Sequence, residues 1–489
     1  MSRFQPPRAT RDFTPDLAAA RDRVRAEFAR VAESYGFQGV QTPMFEREAL
    51  FSARSGPEIK SSMLTFHCDH EEFALRPEMT APVCRLIASG ALDSRPKPYK
   101  LYYVGSCFRY CRPQPGRYRE FTQAGIECMG ESGAETDAEV IAAACRFLGN
   151  IGIGDFRLKI GNIGIFRALL PEDLDPEDRA AVIGNLDQLL AIDEKCALLG
   201  RTGDPSLHGD LKIDRLELAA LQAANDYDGE FAIAGHPQLT AAEFAGRLPH
   251  EAEATFRRVW SVQQLVSDAS ADLLLKVSRL RGPLGAVDRQ ARALLQSTGA
   301  TDALDRLLEV CRLVEAYDAG EFEVVLGISR GLAFYTSTVF EISASNGNGS
   351  KLYCGGGRYD RLVEEFGGPS LPSAGCAFRF DDLVDDFIAR NDWPPPRAYR
   401  VFLLADSKQA LPRAIAAAEQ LRRGGLAVGV AVGAQTSPTA ADCAARNADA
   451  IVLFNAASLD AGTIQISDGK RAGPNMLDAT AIRNWLAGV

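Results

Sequence analysis

The chain has 489 residues, of which 46% are hydrophobic and 24% charged, a balance typical of a globular protein and not of a disordered one. This length exceeds what one compact core usually serves, so it predicts two or three domains. A formal net charge of −10 argues against a surface that binds polyanions throughout, although a local basic groove remains compatible with it.

The cysteines and histidines limit which disulfide bonds and metal sites the chain is expected to form. The eleven cysteines include no C-x-x-C pair, which favours a reduced cytoplasmic protein over a disulfide framework. Five histidines without paired ligand spacing predict that there is no metal site. No apolar stretch approaches 18 residues and the first residues lack a signal-peptide core, so we expect neither a membrane span nor secretion.

Helical periodicity is the first pattern along the chain. Apolar residues at helical spacing predict a helix over 14–36. Thr14 can cap the start of this helix, and Gly36 can end it in the left-handed conformation. A short strand that ends at Pro43 is predicted to follow.

Three strand-like segments come next, at 73–82, 99–110 and 121–130. The last two are rich in aromatic residues and flank a basic loop with proline and glycine, which predicts an antiparallel hairpin with a long tip. A helix is expected at about 136–149.

The middle of the chain changes character. Residues 165–320 are rich in Ala, Leu, Asp and Glu and poor in strand signals, which predicts an inserted helical region. Strands are predicted again at 323–328 and 334–342, before a glycine cluster at 354–360. Its three consecutive glycines indicate a tight turn or a close-packed strand edge, and Tyr359 beside them favours a ligand contact.

A proline-rich linker at 391–399 precedes the last segment. Strand and helix patterns alternate beyond it and predict a small α/β domain. The predicted strands are at 400–405, 427–432 and 450–454, and the predicted helices are near 409–424 and 438–447.

One predicted strand carries a polar face. Residues two apart share a face of a strand, so Gln123, Gly125 and Glu127 point the same way. Glu78 and Thr80 are also two apart in the preceding segment. Such a set of acceptors suits a cationic small molecule, for example through the ammonium group of an amino acid. Half-solvated antiparallel sheets carry the same pattern, so the residues alone leave both interpretations open.

Arginines gather around the predicted hairpin. Arg109 ends one strand, and the loop after it holds Arg112, Arg117 and Arg119, whose guanidinium groups suit phosphate oxygens. A solvated loop tip is the alternative interpretation. Arg330 precedes a glycine that would allow close backbone approach to a ligand, and a surface arginine is again the alternative.

Four ordered motifs point to one family. The segments LRPEMTA, FRYCRPQPGRYREFTQAGIE, ISRGLAFYTSTVFE and CGGGRYD resemble, in this order, the catalytic domain of histidyl-tRNA synthetases and their paralogs. The resemblance implies an α+β fold, the class II synthetase core of an antiparallel sheet with helices. It also implies a cytoplasmic homodimer formed through the first helix and the strand that ends at Pro43. The implied domains are a core in two parts at 1–165 and 321–390, a helical insertion at 166–320, and an anticodon-binding-like α/β domain at 398–489.

By this resemblance the chain keeps a histidine pocket. Glu78, Thr80 and Gln123 match residues that bind the amino group, while Glu127 and Tyr335 match those that hold the imidazole. The residues implied to bind substrate are Glu78, Thr80, Gln123, Glu127, Tyr335 and Tyr359.

The arginines acquire roles from the same resemblance. Arg109 matches the arginine that binds the α-phosphate of ATP, and Arg330 matches one that contacts the substrate carboxylate and the adenylate phosphate. Both are therefore implied as catalytic, and Arg117 matches a further nucleotide-binding arginine of the loop. The glutamate expected two residues after Arg109 is Cys111 in this chain.

The last motif departs further from the family. Its pattern is roughly G-F-A-x-G-x-E-R-L, and this chain has Arg379 at the second glycine and Asp382 at the arginine that faces the distal phosphate. At an effective dielectric constant near 20, unit charges about 5 Å apart interact by roughly 3 kcal/mol. An acid at position 382 is therefore expected to weaken ATP binding strongly.

These departures favour a non-tRNA paralog, namely a histidine-binding regulatory subunit of ATP phosphoribosyltransferase in histidine biosynthesis, which would need neither ATP nor magnesium. It would bind the catalytic subunit of that enzyme. The alternative is an active histidine–tRNA ligase that uses ATP and magnesium, and the full loop RPQPGRYRE and the C-terminal domain support it. A third hypothesis is a synthetase-like protein for another amino acid or carrier. The segment 438–448 has one arginine and no lysine, which argues against a tRNA-reading face.

Overall fold

The computed structural model describes residues 5–52, 62–111, 118–202, 241–329, 334–346, 349–391, 393, 400–433, 439–446, 448–454, 465–468, 470–474 and 477–487. The chain forms two compact units, Met1–Asn391 and Asp392–Val489. No helix in the described ranges combines the length and the apolar character needed to cross a bilayer. The predicted linker over 391–399 lies outside the described residues, apart from Asn391 and Trp393.

A long helix and a small sheet begin the first unit. The elements in order are α1 (Pro15–Ser34), β1 (Gln38–Gly39), β2 (Phe45–Arg47), α2 (Glu48–Ser52), β3 (Leu64–Cys68), β4 (Glu71–Leu75) and α3 (Thr80–Ala88). Strands β2, β4 and β3 form an antiparallel sheet. The helix predicted over 14–36 is confirmed, and Gly36 follows it with a φ of +83°. Thr14 makes no side-chain cap, contrary to the prediction.

The strand predicted over 73–82 is wrong beyond Leu75, where β4 ends. Helix α3 begins at Thr80 because the Glu78 carboxylate accepts hydrogen bonds from the backbone N–H groups of Thr80 (2.6 Å) and Ala81 (2.9 Å). The first turn of a helix leaves such amides without partners, and a carboxylate that binds them stabilises the helix start. The alternation of Glu78 and Thr80 therefore does not mark one face of a strand.

The rest of the first unit builds the large sheet and its covering helices. The elements are β5 (Tyr99–Phe108), β6 (Glu120–Met129), α4 (Ala134–Asn150), β7 (Phe156–Asn162), α5 (Gly164–Leu169), α6 (Pro176–Thr202), α7 (Ala241–Val262), α8 (Asp268–Ser278), β8 (Arg281–Gly282), α9 (Leu284–Leu295), α10 (Thr301–Ala316), β9 (Phe322–Val325), β10 (Thr338–Asn346), β11 (Gly349–Arg358), α11 (Leu362–Glu365), β12 (Ser373–Arg379) and α12 (Phe380–Arg390). Within 165–320 the described residues are helical apart from connecting turns and the two-residue β8, as predicted.

The large sheet has nine strands in the order β1-β5-β6-β12-β11-β10-β7-β9-β8. The neighbours from β5 to β7 are antiparallel, and the pairs β1–β5 and β7–β9 are parallel. The predicted hairpin is confirmed, since β5 and β6 pair from Tyr99 opposite Met129 to Phe108 opposite Glu120. The fold is thus α+β with a mixed sheet that is antiparallel at its centre.

Helices cover one face of this sheet. Phe28 of α1, Phe147 of α4 and Phe378 of β12 meet edge to face, with ring centroids 5.1–5.7 Å apart. All three rings are at most 2% exposed, so this face forms the apolar core. Side chains alternate along a strand, which leaves the neighbours of Phe378 in β12 on the opposite face.

The second unit has its own sheet and core. Its elements are β13 (Arg400–Ala405), α13 (Leu411–Arg423), β14 (Ala427–Val432), α14 (Ala440–Ala445), β15 (Ala450–Phe454), β16 (Gln465–Ser467) and α15 (Ala479–Ala487). The order is β14-β13-β15-β16, with β16 antiparallel to β15 and the other pairs parallel. Val401, Leu403 and Leu421 belong to its buried core. The predicted α/β pattern of this segment is confirmed.

Candidate functional site

A buried carboxylate lies at the centre of the face opposite the covering helices. Glu127 of β6 is 1% exposed and accepts hydrogen bonds from Thr80 Oγ1 (2.9 Å), from the Tyr103 hydroxyl (3.0 Å) and from the Tyr359 hydroxyl. Burial raises the pKa of Glu127 to about 7, although the three hydroxyl donors oppose the shift. The structure thus brings together Thr80, Glu127 and Tyr359 from three separate segments.

Glycines make room for this carboxylate. A Cβ atom on Gly375, which lies opposite Glu127 in the ladder, would overlap the Glu127 carboxylate. A Cβ on Gly125 would overlap the Tyr103 hydroxyl, and one on Gly357 would lie 3.0 Å from the Tyr335 ring. The glycine cluster therefore belongs to a close-packed strand, β11, and not to a tight turn.

Tyr335 and Phe334 form an aromatic cluster with Tyr359. Tyr335 is 5% exposed, and its ring centroid is 4.8 Å from that of Phe334. The Phe334 ring also meets the Tyr359 ring edge to face at 5.9 Å. Arg167 of α5 donates a hydrogen bond to the Tyr335 carbonyl (3.0 Å), which fixes the backbone at this point. Tyr335 is thus placed next to the residues that surround Glu127.

A second carboxylate and an amide hold the start of α3 against β6. Burial raises the pKa of Glu78, and its two backbone donors and the charge of Arg109 oppose the shift. Gln123 Oε1 accepts hydrogen bonds from the Met79 backbone N–H (3.1 Å) and from the Cys107 thiol (3.4 Å). Both side chains therefore position the segment that carries Thr80, in addition to any contact with a ligand.

Arg109 lies at the base of the basic loop. Its Nε donates to the Pro77 carbonyl (2.8 Å), and its guanidinium lies 5.4 Å from the Phe121 ring centroid. The Arg109 backbone N–H donates to the Arg119 carbonyl (2.9 Å), which closes the loop base. Of the other arginines singled out around the loop and before β10, Arg112, Arg117 and Arg330 lie outside the described residues, whereas Arg119 is described and its guanidinium lies 4.7 Å from the Tyr110 ring centroid.

The two aspartates that open α12 have different surroundings. Asp381 is buried, forms ion pairs with Arg21 of α1 and with Arg11 (3.4 Å), and accepts from the Thr122 backbone N–H (2.7 Å). These contacts fix the end of β12 against α1 and β6. Asp381 is therefore a structural residue of the covered face.

Asp382 is paired with cations. Its Oδ2 is 2.6 Å from Arg379 Nε, and its Oδ1 is 3.8 Å from Lys351 Nζ. Burial raises its pKa, and the charges of Arg379 and Lys351 oppose the shift. The carboxylate that is expected to weaken ATP binding is thus paired with two cations. Both lie within 4 Å of it and reduce the repulsion that Asp382 exerts on a phosphate group.

Three residues that contact the site or the strand end beside it were not among the predicted site residues. Tyr103 could have been found from the hairpin register, since it lies opposite Gly125 and so shares the face of Glu127. Arg21 stands on the apolar stripe of α1, where a buried charge signals a partner. Arg379 gave no signal beyond its departure from the family pattern.

The known proteins that this chain is similar to belong to the family that its motifs resemble. A family model described as histidyl-tRNA synthetase matches residues 9–229 and 231–383. Curated proteins named histidine–tRNA ligase from Methanocaldococcus jannaschii and Thermococcus kodakarensis are each 30% identical to this chain. These alignments cover 95% and 96% of this chain and 95% of each relative.

Solved structures agree on the fold. One is titled an ATP phosphoribosyltransferase regulatory subunit/histidyl-tRNA synthetase from Bacillus halodurans, and another a histidyl-tRNA synthetase from Nostoc sp. PCC 7120. Each superposes on this chain with a TM-score of 0.66. The Bacillus halodurans structure is 21% identical and covers 93% of this chain, and the Nostoc structure is 20% identical and covers 100% of it. In both alignments 99% of the solved chain is covered. At this identity the likeness concerns the class II synthetase-like fold alone.

Proposed function

Since the chain belongs to the histidyl-tRNA synthetase family, we propose that it is an ATP-dependent histidine–tRNA ligase. The curated relatives that align over nearly the whole chain carry this name, and this favours the ligase over the regulatory role that the last motif suggested. The observation that carries the proposal is the pairing of Asp382 with Arg379 and Lys351, because it reduces the repulsion between this acid and a bound nucleotide.

Histidine would bind around Glu127. The carboxylate, with its hydroxyl donors, would accept a hydrogen bond from an imidazole N–H, and Tyr335 would lie against the same ring. Thr80, Gln123 and Glu78 would receive the ammonium group. The Tyr103 and Tyr359 hydroxyls hold Glu127 in one orientation, so that recognition of the imidazole needs little reorganisation.

The first chemical step would be attack of the histidine carboxylate on the α-phosphate of ATP. An oxygen–phosphorus bond forms, the bond to the β-phosphate breaks, and pyrophosphate leaves with the bonding electron pair. Arg109 and Arg330 would stabilise the charge that develops on the α-phosphate oxygens, and Arg117 would contact the nucleotide further along. A ribose hydroxyl of tRNA would then attack the acyl carbon and release AMP.

Magnesium would enter with ATP and neutralise phosphate charge. Among the described residues no group of three or more His, Cys, Asp or Glu side chains is arranged to hold a metal ion by itself. Glu341 lies opposite Gly355 in the ladder, and Gly355 lies opposite Ala377, which places Glu341 on the face of Glu127. A single carboxylate together with phosphate oxygens is a donor set that suits magnesium, and Glu341 would supply it.

The proposal extends to assembly and location. We expect the protein to be in the cytoplasm, because tRNA charging takes place in the cytoplasm. We also expect a homodimer, because the small sheet of β2, β3 and β4 exposes large apolar side chains. Met44 is 57% exposed, Phe45 50% and Phe66 41%. These residues lie in and beside β2 and β3, next to the segment that ends at Pro43. Sedimentation of the purified protein against a Phe45→Asp variant would measure the assembly.

The histidine-binding regulatory subunit of ATP phosphoribosyltransferase is the second candidate. Its support is the acid at position 382 and the double title of the Bacillus halodurans structure. In that role histidine binding would shift a conformational equilibrium of the partner enzyme, and neither ATP nor tRNA would be used.

Pyrophosphate exchange separates the two candidates. Purified protein is incubated with ATP and labelled pyrophosphate, with and without histidine, and the label in ATP is measured. The ligase gives histidine-dependent exchange and also charges tRNA with labelled histidine. Histidine binding without exchange would support the regulatory subunit, and exchange driven by another amino acid would support a different substrate. A Glu127→Gln variant is the matched control for dependence on the pocket.

A further inference from the structure

We propose that Arg379 binds the distal phosphates of ATP, in place of a cation at position 382. The inference rests on the proposed use of ATP. It assigns a substrate-binding role to a residue that neither the sequence pattern nor the relatives' names indicate.

The first support is the face on which Arg379 lies. In the ladder between β12 and β6, Gly375 lies opposite Glu127 and Arg379 lies opposite Gln123. Directly opposite residues of an antiparallel pair share a face, so Arg379 lies on the face of Glu127 and Gln123. Arg379 is the fourth residue after Gly375 along the strand, a distance of about 13 Å. Arg379 is thus displaced from the amino-acid pocket toward the end of β5 that Arg109 follows.

The second support is exposure. The Arg379 side chain is 51% exposed, whereas the Asp382 side chain is 14% exposed. The Arg379 guanidinium is therefore more exposed to solvent than the Asp382 carboxylate. The guanidinium is thus the member of the pair that is accessible to a ligand from solvent.

The third support is the way in which the pair is held. Asp382 contacts Arg379 through Nε, so the edge of the planar guanidinium that carries the two Nη atoms faces away from this contact. Lys351 contacts Asp382 from another direction and is itself held by Asp386 of α12, at 2.9 Å. The acid thus restrains the arginine, and a restrained guanidinium loses little conformational entropy when it binds phosphate oxygens in a bidentate manner.

The alternative is an ordinary ion pair between residues three apart at a helix start. A partly exposed pair of this kind contributes about 1 kcal/mol or less to stability, and in this interpretation its arginine does not contact a ligand. The two interpretations differ in the ligand that they affect. A phosphate-binding arginine discriminates ATP from AMP, because AMP lacks the distal phosphates.

The test measures the affinity of the full-length protein for ATP and for AMP by isothermal titration calorimetry. We expect Arg379→Ala to weaken ATP binding roughly tenfold or more, as loss of one charge-assisted contact implies, and to leave AMP binding nearly unchanged. The matched control is Arg390→Ala at the end of α12, the helix that follows Arg379, where Arg390 pairs with Asp155 at 2.6 Å. This control should leave both affinities unchanged.

A charge relocation completes the design. Arg379→Gly alone should resemble Arg379→Ala, and Arg379→Gly combined with Asp382→Arg should restore much of the ATP affinity. An equal ATP to AMP ratio in wild type and Arg379→Ala overturns the assignment, even where histidine-dependent exchange is normal. Absence of ATP binding by the wild type overturns both the assignment and the proposed function. Thermal melts of each variant separate loss of a contact from loss of the fold.

Discussion

Glu127 is a deeply buried ionisable residue, and its titration makes the free energy of unfolding depend on pH. Its pKa is raised from an ordinary value of 4.5 to about 7, so between these values the folded protein binds a proton that the unfolded chain has released. Stability should therefore fall as pH rises from about 4.5 to 7 and be level above that. The total change from this group is on the order of 3 kcal/mol.

Replacing the carboxyl by an amide removes this contribution. In the Glu127→Gln variant the free energy of unfolding should no longer show this decrease between pH 4.5 and 7, because the amide does not titrate. Urea unfolding of both proteins at a series of pH values measures the effect. Parallel curves for the two proteins would contradict the assignment of the shifted pKa to Glu127.

Gly375 is the residue whose backbone passes directly beneath that carboxylate. Gly375→Ala should abolish histidine binding or weaken it by at least about tenfold, since the new Cβ overlaps the carboxylate and the Ile126 carbonyl cannot yield. Gly149→Ala is the control, because a Cβ at Gly149 meets nothing within 4 Å. Histidine titration calorimetry compares the two, and equal affinities would show that the overlap is relieved.

Among the elements, α1 and α12 hold the strand end that carries Arg379. Arg21 of α1 is 8% exposed, pairs with Asp381 and donates to Thr122 of β6. Phe13, from the segment before α1, covers the Arg21 guanidinium at 3.8 Å from its ring centroid. A helix, a strand and the N-terminal segment are thus joined through one buried charge.

This junction predicts a large cost for removing the cation. Arg21→Gln should lower the unfolding free energy by about 3 kcal/mol, because it leaves the Asp381 charge buried with fewer partners. Arg30→Ala, on the exposed side of α1, breaks only an exposed pair with Glu27 and should have little effect. Chemical denaturation provides the comparison. A small change for Arg21→Gln would mean that Arg11 alone compensates Asp381.

The whole molecule divides its proposed tasks between two units with separate cores. The first, Met1–Asn391, contains all the residues proposed to bind histidine, and the second, Asp392–Val489, has its own four-stranded sheet. A protein truncated after Asn391 should therefore keep histidine-dependent pyrophosphate exchange within a few-fold of the full chain.

Charging of tRNA should respond differently to that truncation. If the second unit binds tRNA, as the proposed function requires, its loss should lower the aminoacylation rate much more than the exchange rate. Both rates are measured on the same preparation, whose fold is checked by circular dichroism. Equal losses in the two assays would argue against a tRNA-binding role for the second unit.

Much of this architecture follows from local pattern. The hairpin of β5 and β6 was predictable because two alternating aromatic strands flank a loop with proline and glycine, and its period of two places Gln123 and Glu127 on one face. In the second unit β13, β14 and β15 were predictable because strand patterns alternate with helical patterns, whereas β16 was not predicted. The segment 76–82 was not, because its helix start depends on a carboxylate that binds backbone amides, and this competes with the strand pattern.

By itself the sequence determined the family, the polar face around Glu127 and the places where this chain departs from its relatives. Only the tertiary structure decided what those departures mean. The charge at position 382 is one fact of the sequence, but its effect depends on Lys351 and Arg379, which the sheet and helix bring within 4 Å of it. Electrostatic interactions depend on distance and burial, and neither quantity is contained in the order of residues.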